Sequence, residues 1–282
     1  MILRSLLFVP ADSEKKLAKA ASVPADALIL DLEDSVAPEN RARAQGLVLE
    51  FLGQPHAQQI WVRLPYKADL SPVARARPAG FVLPKIEEHD ALYAQDAMVG
   101  LVERESGFAE DGIKFLPIVS ESPEAVLSLD TYRTPSLSRL AALTWGAEDL
   151  AAAVGATANR EPSGEFTFVY QVVRTFALMA AKSAGVLAIE TLQADFRDLA
   201  GLDRAARRAH RDGFDGMLAI HPDQVAVINA AFTPSADEIA QATRVVAAFA
   251  SGAAVAGLDG KMLDAPHLKQ AQRILERAKG PA

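Results

Sequence analysis

Carboxylates follow two apolar runs that are successive along this 282-residue chain. Glu121 ends one run and Asp149 ends the next. If the runs are neighbouring strands, the two carboxylates repel unless one is protonated or a cation lies between them. Oxygen ligands suit Mg²⁺, which takes one or two protein carboxylates and completes its coordination with water and substrate oxygens. Both residues are therefore candidate magnesium ligands, although Asp149 could instead cap a helix and Glu121 could pair with a nearby cation.

Other charged residues follow apolar runs in the first quarter of the chain. Glu33 and Asp34 could hold the waters of a metal ion or fix a cation. The alternative is a solvated strand end at which Asp34 starts a turn. Arg63 ends the run Ile60–Arg63, and its guanidinium keeps its proton and requires an anion. That anion is either one of the carboxylates or a substrate carboxylate held bidentately, and we favour the substrate.

Three more residues at the ends of runs could take part in chemistry. Lys85 could form a Schiff base, but the carboxylates around it would keep it protonated, which favours an electrostatic role. His221 could bind a metal or move a proton, although a hydrogen-bonded structural role is favoured. Glu190 is a further carboxylate that the pattern places at the same end of the strands.

Eight short apolar runs must position these side chains. A strand that is apolar along its length is buried on both faces, as in parallel sheets covered by helices. Most runs are separated by enough residues for a helix. The pattern therefore predicts an α/β fold, a (β/α)8 TIM barrel with its active site at the C-terminal ends of the strands. The predicted strands are Ser5–Pro10, Ala27–Asp34, Ile60–Pro65, Gly80–Glu87, Ile113–Glu121, Leu140–Asp149, Val186–Thr191 and Asp215–Pro222.

The chain is longer than a barrel requires. We predict that residues 1–232 form the (β/α)8 catalytic domain, close to the roughly 250 residues typical of this fold. Residues 233–282 are predicted to be a C-terminal helical extension, with helices over 235–251 and 264–279 and a Gly/Ala-rich link between them. An extension of this kind would serve as a lid or as an oligomer contact.

The composition argues against several classes of protein. The net charge of −7 argues against a general nucleic-acid binder, although a phosphorylated ligand needs only a few local cations. Cysteine is absent, which excludes disulfides and thiolate-bound zinc or iron–sulfur sites. No apolar run approaches the ~20 residues of a membrane span, and the N-terminus lacks the pattern of a secretory signal. These features predict a cytoplasmic protein with no nucleic-acid or membrane partner.

Seven segments in order resemble those of one family, over a stretch from Arg4 to about Leu275. The sequence resembles the citrate lyase beta subunit and its stand-alone relatives in the HpcH/HpaI aldolase group, among them malyl-CoA and citramalyl-CoA lyases. The segments are Arg4–Pro10, Leu30–Val36, Val62–Arg63, Leu83–Lys85, Trp145–Leu150, Ala219–Gln224 and Asp259–Asp264.

The resemblance implies a Mg²⁺-dependent barrel that cleaves or forms a carbon–carbon bond between an acyl thioester and a 2-oxo acid. The metal ligands of the family correspond to Glu121 and Asp149. The arginine that binds the substrate carboxylate corresponds to Arg63, and the acidic pair of the second strand corresponds to Glu33 and Asp34, which join Arg63 among the expected catalytic residues.

The resemblance also implies roles for residues at the two ends of the chain. Cations that bind the coenzyme A phosphates in relatives correspond to Arg4 and Lys19. An aspartate in the C-terminal segment reaches the site of a neighbouring subunit in the lyases, and Asp264 stands at the matching position as a catalytic residue. The chain is therefore expected to be a homo-oligomer, commonly trimer-based.

The sequence leads to one main hypothesis, a lyase that releases acetyl-CoA and a 2-oxo acid from citramalyl-CoA or malyl-CoA by a retro-Claisen reaction. The first alternative is a citrate lyase beta subunit that acts on citryl-acyl-carrier protein. The others are an aldolase for free hydroxy acids and a non-catalytic barrel that binds an acyl-CoA or a 2-oxo acid. Departures from the family pattern, such as Leu64-Pro65 and Met217, leave the identity of the substrate open.

Overall fold

Eight parallel strands form the barrel in a computed structural model that describes residues 2–133, 137–250 and 254–279. The strands are β1 (Ser5–Pro10), β2 (Ala27–Asp31), β3 (Gln59–Arg63), β4 (Gly80–Leu83), β5 (Lys114–Pro117), β6 (Ala142–Thr144), β7 (Leu187–Glu190) and β8 (Gly216–Ala219). Their order is β5-β4-β3-β2-β1-β8-β7-β6, and parallel bridges from Phe115 to Leu140 and from Ile118 to Thr144 join the two edges. The predicted barrel is confirmed. Most strands end before the predicted runs do, so several charged residues lie on the loops that follow.

Helices cover the outside of the barrel between the strands. Serine side chains cap two of them, since Ser13 accepts a hydrogen bond from the main-chain N–H of Lys16 and Ser122 accepts one from Ala125. The helices of the barrel are α1 (Glu14–Ala20), α2 (Arg41–Leu52), α3 (Ser71–Ala74), α4 (Leu92–Ser106), α5 (Pro123–Leu127), α6 (Ala147–Val154), α7 (Phe168–Ala184), α8 (Leu199–Asp212) and α9 (Pro222–Phe232). None of the helices in the described residues is long and apolar enough to cross a membrane.

Side chains of each strand alternate between the inside of the barrel and the layer of helices. The interior contains a buried apolar cluster that includes Leu6, Ile29, Trp61, Val82, Leu116, Ile189 and Leu218. Their neighbours along the strands, such as Leu28 and Val62, belong to the larger core beneath the helices. Asp31 and Arg63 lie two residues beyond Ile29 and Trp61, so they continue the interior rows and emerge at the C-terminal mouth of the barrel.

The C-terminal segment has a small core of its own. It consists of α10 (Ala236–Ala248), β9 (Ala256–Leu258), β10 (Lys261–Leu263) and α11 (Ala265–Ala278), packed around Ala242, Val245, Phe249, Leu263 and Ala271. An ion pair between Arg277 and Asp215 ties it to the barrel. Asp215 precedes β8, so this attachment lies at the N-terminal end of the barrel, opposite the mouth.

The hairpin of β9 and β10 is absent from the sequence prediction, which treats the extension as helical. The two strands are joined by Asp259 and Gly260, both with left-handed backbone (φ 51° and 74°). An Asp-Gly pair between short strands favours a two-residue hairpin turn, so the signal was present in the sequence. The hairpin lies within the predicted Gly/Ala-rich link, whose first residues, 252 and 253, lie outside the described residues.

Candidate active site

Arg63, at the end of β3, is surrounded by carboxylates. Its Nε and Nη2 atoms donate to the two oxygens of Asp31, each at 2.7 Å. Its Nη1 atom lies 3.0 Å from Oε2 of Glu33 and 3.4 Å from Oδ2 of Asp34. Burial alone would lower the pKa of Arg63, but the three carboxylates outweigh it and raise that pKa further above its ordinary value. In the described structure, Arg63 is held by residues of this chain.

Asp31 is a site residue that sequence reasoning missed. It is 1 % exposed and also accepts hydrogen bonds from the main-chain N–H groups of Glu33 and Ser35. Burial alone would raise the pKa of Asp31, but the hydrogen bonds and charge of Arg63 outweigh this effect and lower it. Asp31 is therefore an ionised carboxylate that fixes the plane of the guanidinium. Residues two apart on a strand lie on the same face, so the spacing of Asp31 and Glu33 was a sequence signal that Asp31 belongs to the site.

Glu33 connects Arg63 to Lys85. Its Oε1 atom accepts a hydrogen bond from Nζ of Lys85 at 3.0 Å, and its side chain is nearly fully buried. Burial raises the pKa of Glu33, with a further contribution from Asp34, and the two cations only partly oppose this effect. Oε2 is buried and faces Arg63 without hydrogen-bond geometry in the described part of the chain, so it keeps acceptor capacity. Asp34 differs, since about half of its side chain is exposed.

Glu121 lies on the loop after β5 and is 6 % exposed. Its Oε2 atom accepts a hydrogen bond from the main-chain N–H of Lys85. Gly146 makes room for it, because a Cβ atom there would lie 2.9 Å from Cγ of Glu121. Burial raises the pKa of Glu121 to about 8, and the charges of Asp149 and Glu33 add to the increase. Asp149, in the first turn of α6, is exposed at the mouth and acts on Glu121 through its charge.

A divalent cation would fit between Glu121 and Asp149. It would remove the repulsion and the burial cost that raise the pKa of Glu121, and the donor set consists only of oxygen. No cluster of three or more acidic or histidine side chains suited to a metal occurs in the described residues. Mg²⁺ uses one or two protein carboxylates and several waters, so Glu121 and Asp149 are sufficient protein ligands for it.

The predicted coenzyme A residues lie away from this cluster. Arg4 precedes β1, at the N-terminal end of the barrel, where Nη2 donates to Asp26 at 2.7 Å and Nη1 donates to Thr233 at 2.9 Å. Its binding capacity is therefore largely used within the chain. Lys19 is exposed in the last turn of α1. Neither residue is brought together with Glu121 or Arg63, and their role in binding coenzyme A stays a prediction.

Asp264 begins α11 in the C-terminal segment. It is exposed, and its Oδ1 atom lies 2.5 Å from Nδ1 of His267, three residues along the same helix. The ion pair of Arg277 with Asp215 anchors the segment at the end of the barrel opposite the mouth. Within one subunit the structure gives Asp264 no contact with the carboxylate cluster among the described residues.

Two other predicted mouth residues have structural roles. Glu190 faces the helix layer, not the mouth, because its neighbour Ile189 occupies the interior row. Its carboxylate accepts from the indole N–H of Trp145 at 2.6 Å and pairs with Arg174. His221 caps α9 by accepting from the main-chain N–H of Asp223, as its favoured structural interpretation predicts.

The chain is similar to known proteins along almost its whole length. The chain is 32 % identical over 278 residues to a citrate lyase subunit beta-like protein of Mycobacterium tuberculosis, covering 96 % of this chain and 94 % of the relative. It is 31 % identical to the mitochondrial citramalyl-CoA lyase of Rattus norvegicus, covering 98 % of this chain and 86 % of the relative. A crystal structure of protein CitE from M. tuberculosis with magnesium, acetoacetate and coenzyme A superimposes with a TM-score of 0.78 at 30 % identity, covering 99 % of this chain and 98 % of that one.

The profile of one family spans the whole barrel. It matches residues 4–222, from the residue before β1 to the first residue of α9, and so includes all eight barrel strands and both candidate metal ligands. The resemblance predicted from seven short segments is confirmed. The chain belongs to the HpcH/HpaI aldolase/citrate lyase family.

Proposed function

We propose that this protein is a Mg²⁺-dependent carbon–carbon lyase acting on a 3-hydroxy acyl-CoA thioester such as citramalyl-CoA or malyl-CoA. The observation that carries the proposal is the buried Glu121, with a pKa raised to about 8 beside Asp149 at the mouth that also holds Arg63. Carboxylates in excess of cations suit a site that receives a metal ion. The citramalyl-CoA lyase relative and the magnesium and coenzyme A of the solved relative support this choice of chemistry.

Glu121 and Asp149 would hold the ion. When bound, Mg²⁺ would supply a Lewis acid that lowers the pKa of the substrate hydroxyl and draws its carboxylate into the site. One metal with two protein carboxylates leaves coordination positions for both substrate oxygens and for water. Glu33 and Asp34 lie on the neighbouring side of the mouth, where their oxygens can accept hydrogen bonds from the waters.

Arg63 would orient the substrate carboxylate. Asp31 fixes one edge of the guanidinium with two 2.7 Å hydrogen bonds, which leaves Nη1 directed at Glu33 and at the half-exposed Asp34. The 3.4 Å contact to Asp34 is the longest in this set and the easiest for a substrate carboxylate to replace. Preorganisation of this kind reduces the entropy lost on binding.

Cleavage requires two proton transfers. The hydroxyl loses its proton, the carbon–carbon bond breaks, and its electron pair moves to the thioester side as an enolate, leaving the 2-oxo acid. Glu33 is suited to accept the hydroxyl proton because burial raises its pKa. The enolate carbon then takes a proton from Asp264 to give acetyl-CoA, and exchange with solvent removes the proton gained by Glu33 and returns one to Asp264. The same aspartate would act as the base in the synthetic direction.

Asp264 would act on the site of a neighbouring subunit, because its own segment is anchored at the far end of the barrel. A homo-oligomer, trimer-based in our proposal, follows from this arrangement. Helix α7 supports such an assembly, since it leaves large apolar side chains exposed, as oligomer interfaces do before they associate. These side chains are Phe168, Val169, Val172, Phe176 and Met179.

The proposal is tested by supplying purified protein with citramalyl-CoA or malyl-CoA and measuring 2-oxo acid and acetyl-CoA. We expect both products, abolished by a chelator and restored by Mg²⁺. Free coenzyme A in place of acetyl-CoA would indicate that the thioester is hydrolysed. Folded, Mg²⁺-bound protein that cleaves neither compound but cleaves citryl-acyl-carrier protein would replace the proposal with the beta-subunit alternative.

Mixed oligomers test the role of Asp264. Asp264→Asn and Glu121→Gln chains should each be inactive, because one lacks the proton donor and the other a metal ligand. Refolded together, they should regain activity at sites that take the metal from one chain and the aspartate from its neighbour. A mixture that exchanges subunits and stays inactive would contradict catalysis between subunits.

A further inference from the structure

Lys85 has an unusual backbone for its residue type. It follows β4 and Pro84, and its φ angle is 57°, in the left-handed region that glycine and asparagine adopt most easily. A residue other than glycine held in this region costs free energy that the surrounding structure must offset, and such residues concentrate at functional sites. The left-handed backbone of Lys85 therefore needs an explanation besides the turn that it forms.

Two different atoms of Lys85 contact the predicted site. Its main-chain N–H donates to Oε2 of Glu121, and its ammonium donates to Oε1 of Glu33 at 3.0 Å. The ammonium also lies 3.9 Å from Oδ1 of Asp34. Lys85 thus joins the candidate metal ligand on one side of the mouth to the acidic pair that follows β2 on the other.

The main-chain contact restrains a side chain with few other restraints. Glu121 is nearly fully buried, yet the backbone N–H of Lys85 is the hydrogen-bond donor that the described structure gives its carboxylate. Gly146 packs against the Cγ atom of Glu121 and offers no side chain that could hold the carboxylate group. The direction of that one N–H is set by the left-handed φ of Lys85.

We propose that Lys85 is a positioning residue whose left-handed backbone orients Glu121 for metal binding, while its ammonium holds Glu33 in place. This inference rests on the proposed function, since it assigns Glu121 as a Mg²⁺ ligand. It differs from a purely electrostatic role for Lys85, under which only the loss of the positive charge would matter.

Two uncharged substitutions separate these roles. Asparagine tolerates the left-handed region, whereas valine is β-branched and strongly disfavours it. Lys85→Asn should therefore keep the N–H directed at Glu121. It should bind Mg²⁺ as tightly as wild type or up to about threefold more tightly, because a neighbouring cation has been removed. Lys85→Val should weaken Mg²⁺ binding by about tenfold or more, in line with the loss of a group that orients a metal ligand.

The experiment measures Mg²⁺ affinity by titration calorimetry on full-length protein without substrate, with thermal melting as the check on folding. Arg77 supplies the matched control, since it is an exposed cation with φ 56° at the opposite end of the barrel, before the same strand. Arg77→Val should lower the melting temperature and leave Mg²⁺ affinity unchanged. Equal Mg²⁺ affinity of the two Lys85 variants would overturn the inference.

A glycine variant covers the case in which Lys85→Val does not fold. Glycine adopts positive φ freely, so Lys85→Gly should retain Mg²⁺ affinity although it lacks the ammonium. A folded glycine variant that loses tenfold or more would overturn the inference. Wild-type protein that binds Mg²⁺ but cleaves no thioester would end the proposed lyase activity and leave this inference standing. Wild-type protein that does not bind Mg²⁺ would contradict both the proposed function and this inference.

Discussion

Two buried glutamates, one on α4 and one on the loop after β5, lie near opposite ends of β5 and have opposite electrostatics. Glu103, on α4, lies beside the N-terminal end of β5, where it accepts from Ile113, and is 1 % exposed, while Glu121, on the loop after β5, is 6 % exposed. Arg139 donates to both oxygens of Glu103 at 2.9 Å, and the main-chain N–H groups of Asp111 and Ile113 donate as well.

Their pKa values move in opposite directions. Burial would raise the pKa of Glu103, but Arg139 and the backbone donors outweigh it and lower that pKa. Burial raises the pKa of Glu121 to about 8, and among the described residues one backbone donor opposes this effect while Asp149 and Glu33 add to it. A buried glutamate that the protein has fully paired serves the fold, whereas one left underpaired beside like charges is available to an added cation.

The largest expected effect separates the two glutamates by activity. Glu121→Gln should lower kcat/KM by about a thousandfold or more, about 4 kcal/mol of transition-state stabilisation, because a metal ligand is lost. Glu103→Gln should leave the activity of the folded protein within a factor of two. Steady-state kinetics at saturating Mg²⁺ measures both. A Glu121→Gln enzyme with wild-type turnover would contradict the catalytic role that distinguishes Glu121 from Glu103.

Stability should show the reverse pattern. Glu103→Gln is expected to destabilise the protein by about 3 kcal/mol, since among the described residues it leaves the buried Arg139 with the partly exposed Asp96 and Asp111 as its anions. Glu121→Gln should be neutral or stabilising near pH 8, because it removes a buried charge that repels its neighbours. Chemical denaturation of both variants in the absence of metal gives the comparison. Equal losses of stability would mean that Glu121 is also a structural residue.

Asp31 should give a smaller effect, confined to substrate binding. Asp31→Asn keeps the size of the side chain but removes the charge that fixes Arg63, so KM should rise by roughly 10–100-fold, as for supporting residues of other sites. Mg²⁺ affinity should change little, since Asp31 contacts the arginine and not Glu121. Kinetics and calorimetry on the same preparation test this. Loss of Mg²⁺ affinity with unchanged KM would assign Asp31 to the metal side of the mouth.

The contrast between the two ends also shows what the sequence could predict. Apolar runs separated by helical stretches were sufficient for the barrel, and the position of Glu121 and Asp149 after consecutive runs was sufficient to place them at one mouth. Arg4 precedes a strand, and this position alone indicates the opposite end. Glu190 could not be placed, because a run that is apolar throughout does not reveal which residues face the interior. Its contacts with Trp145 and Arg174 become visible only once the strand register is known.

Asp31 and Lys85 show a second limit. Within Leu30–Glu33, the sequence pattern indicates only that Asp31 belongs to a strand. Its bidentate pairing with Arg63 depends on the register between β2 and β3. The main-chain contact of Lys85 depends on a backbone angle that no residue pattern in Leu83-Pro84-Lys85 indicates. The spacing of residues predicts which of them lie at the mouth of the barrel, whereas their contacts with one another depend on three-dimensional geometry.

The smallest effect is a pH dependence that belongs to Glu121. Its pKa is raised on folding, so the metal-free folded state binds more protons than the unfolded chain, and stability should fall as pH rises from about 4.5 towards about 8. Mg²⁺ affinity should rise over the upper part of the same window, because the ion must displace a proton below the raised pKa. Denaturation at pH 6, 7 and 8 should therefore show falling stability of the Mg²⁺-free protein, while calorimetry over the same range should show rising Mg²⁺ affinity. Glu121→Gln should flatten the slope of stability against pH, while Glu103→Gln should leave it intact. A slope that survives Glu121→Gln would assign the titration to Glu33, the other carboxylate of the mouth whose pKa is raised.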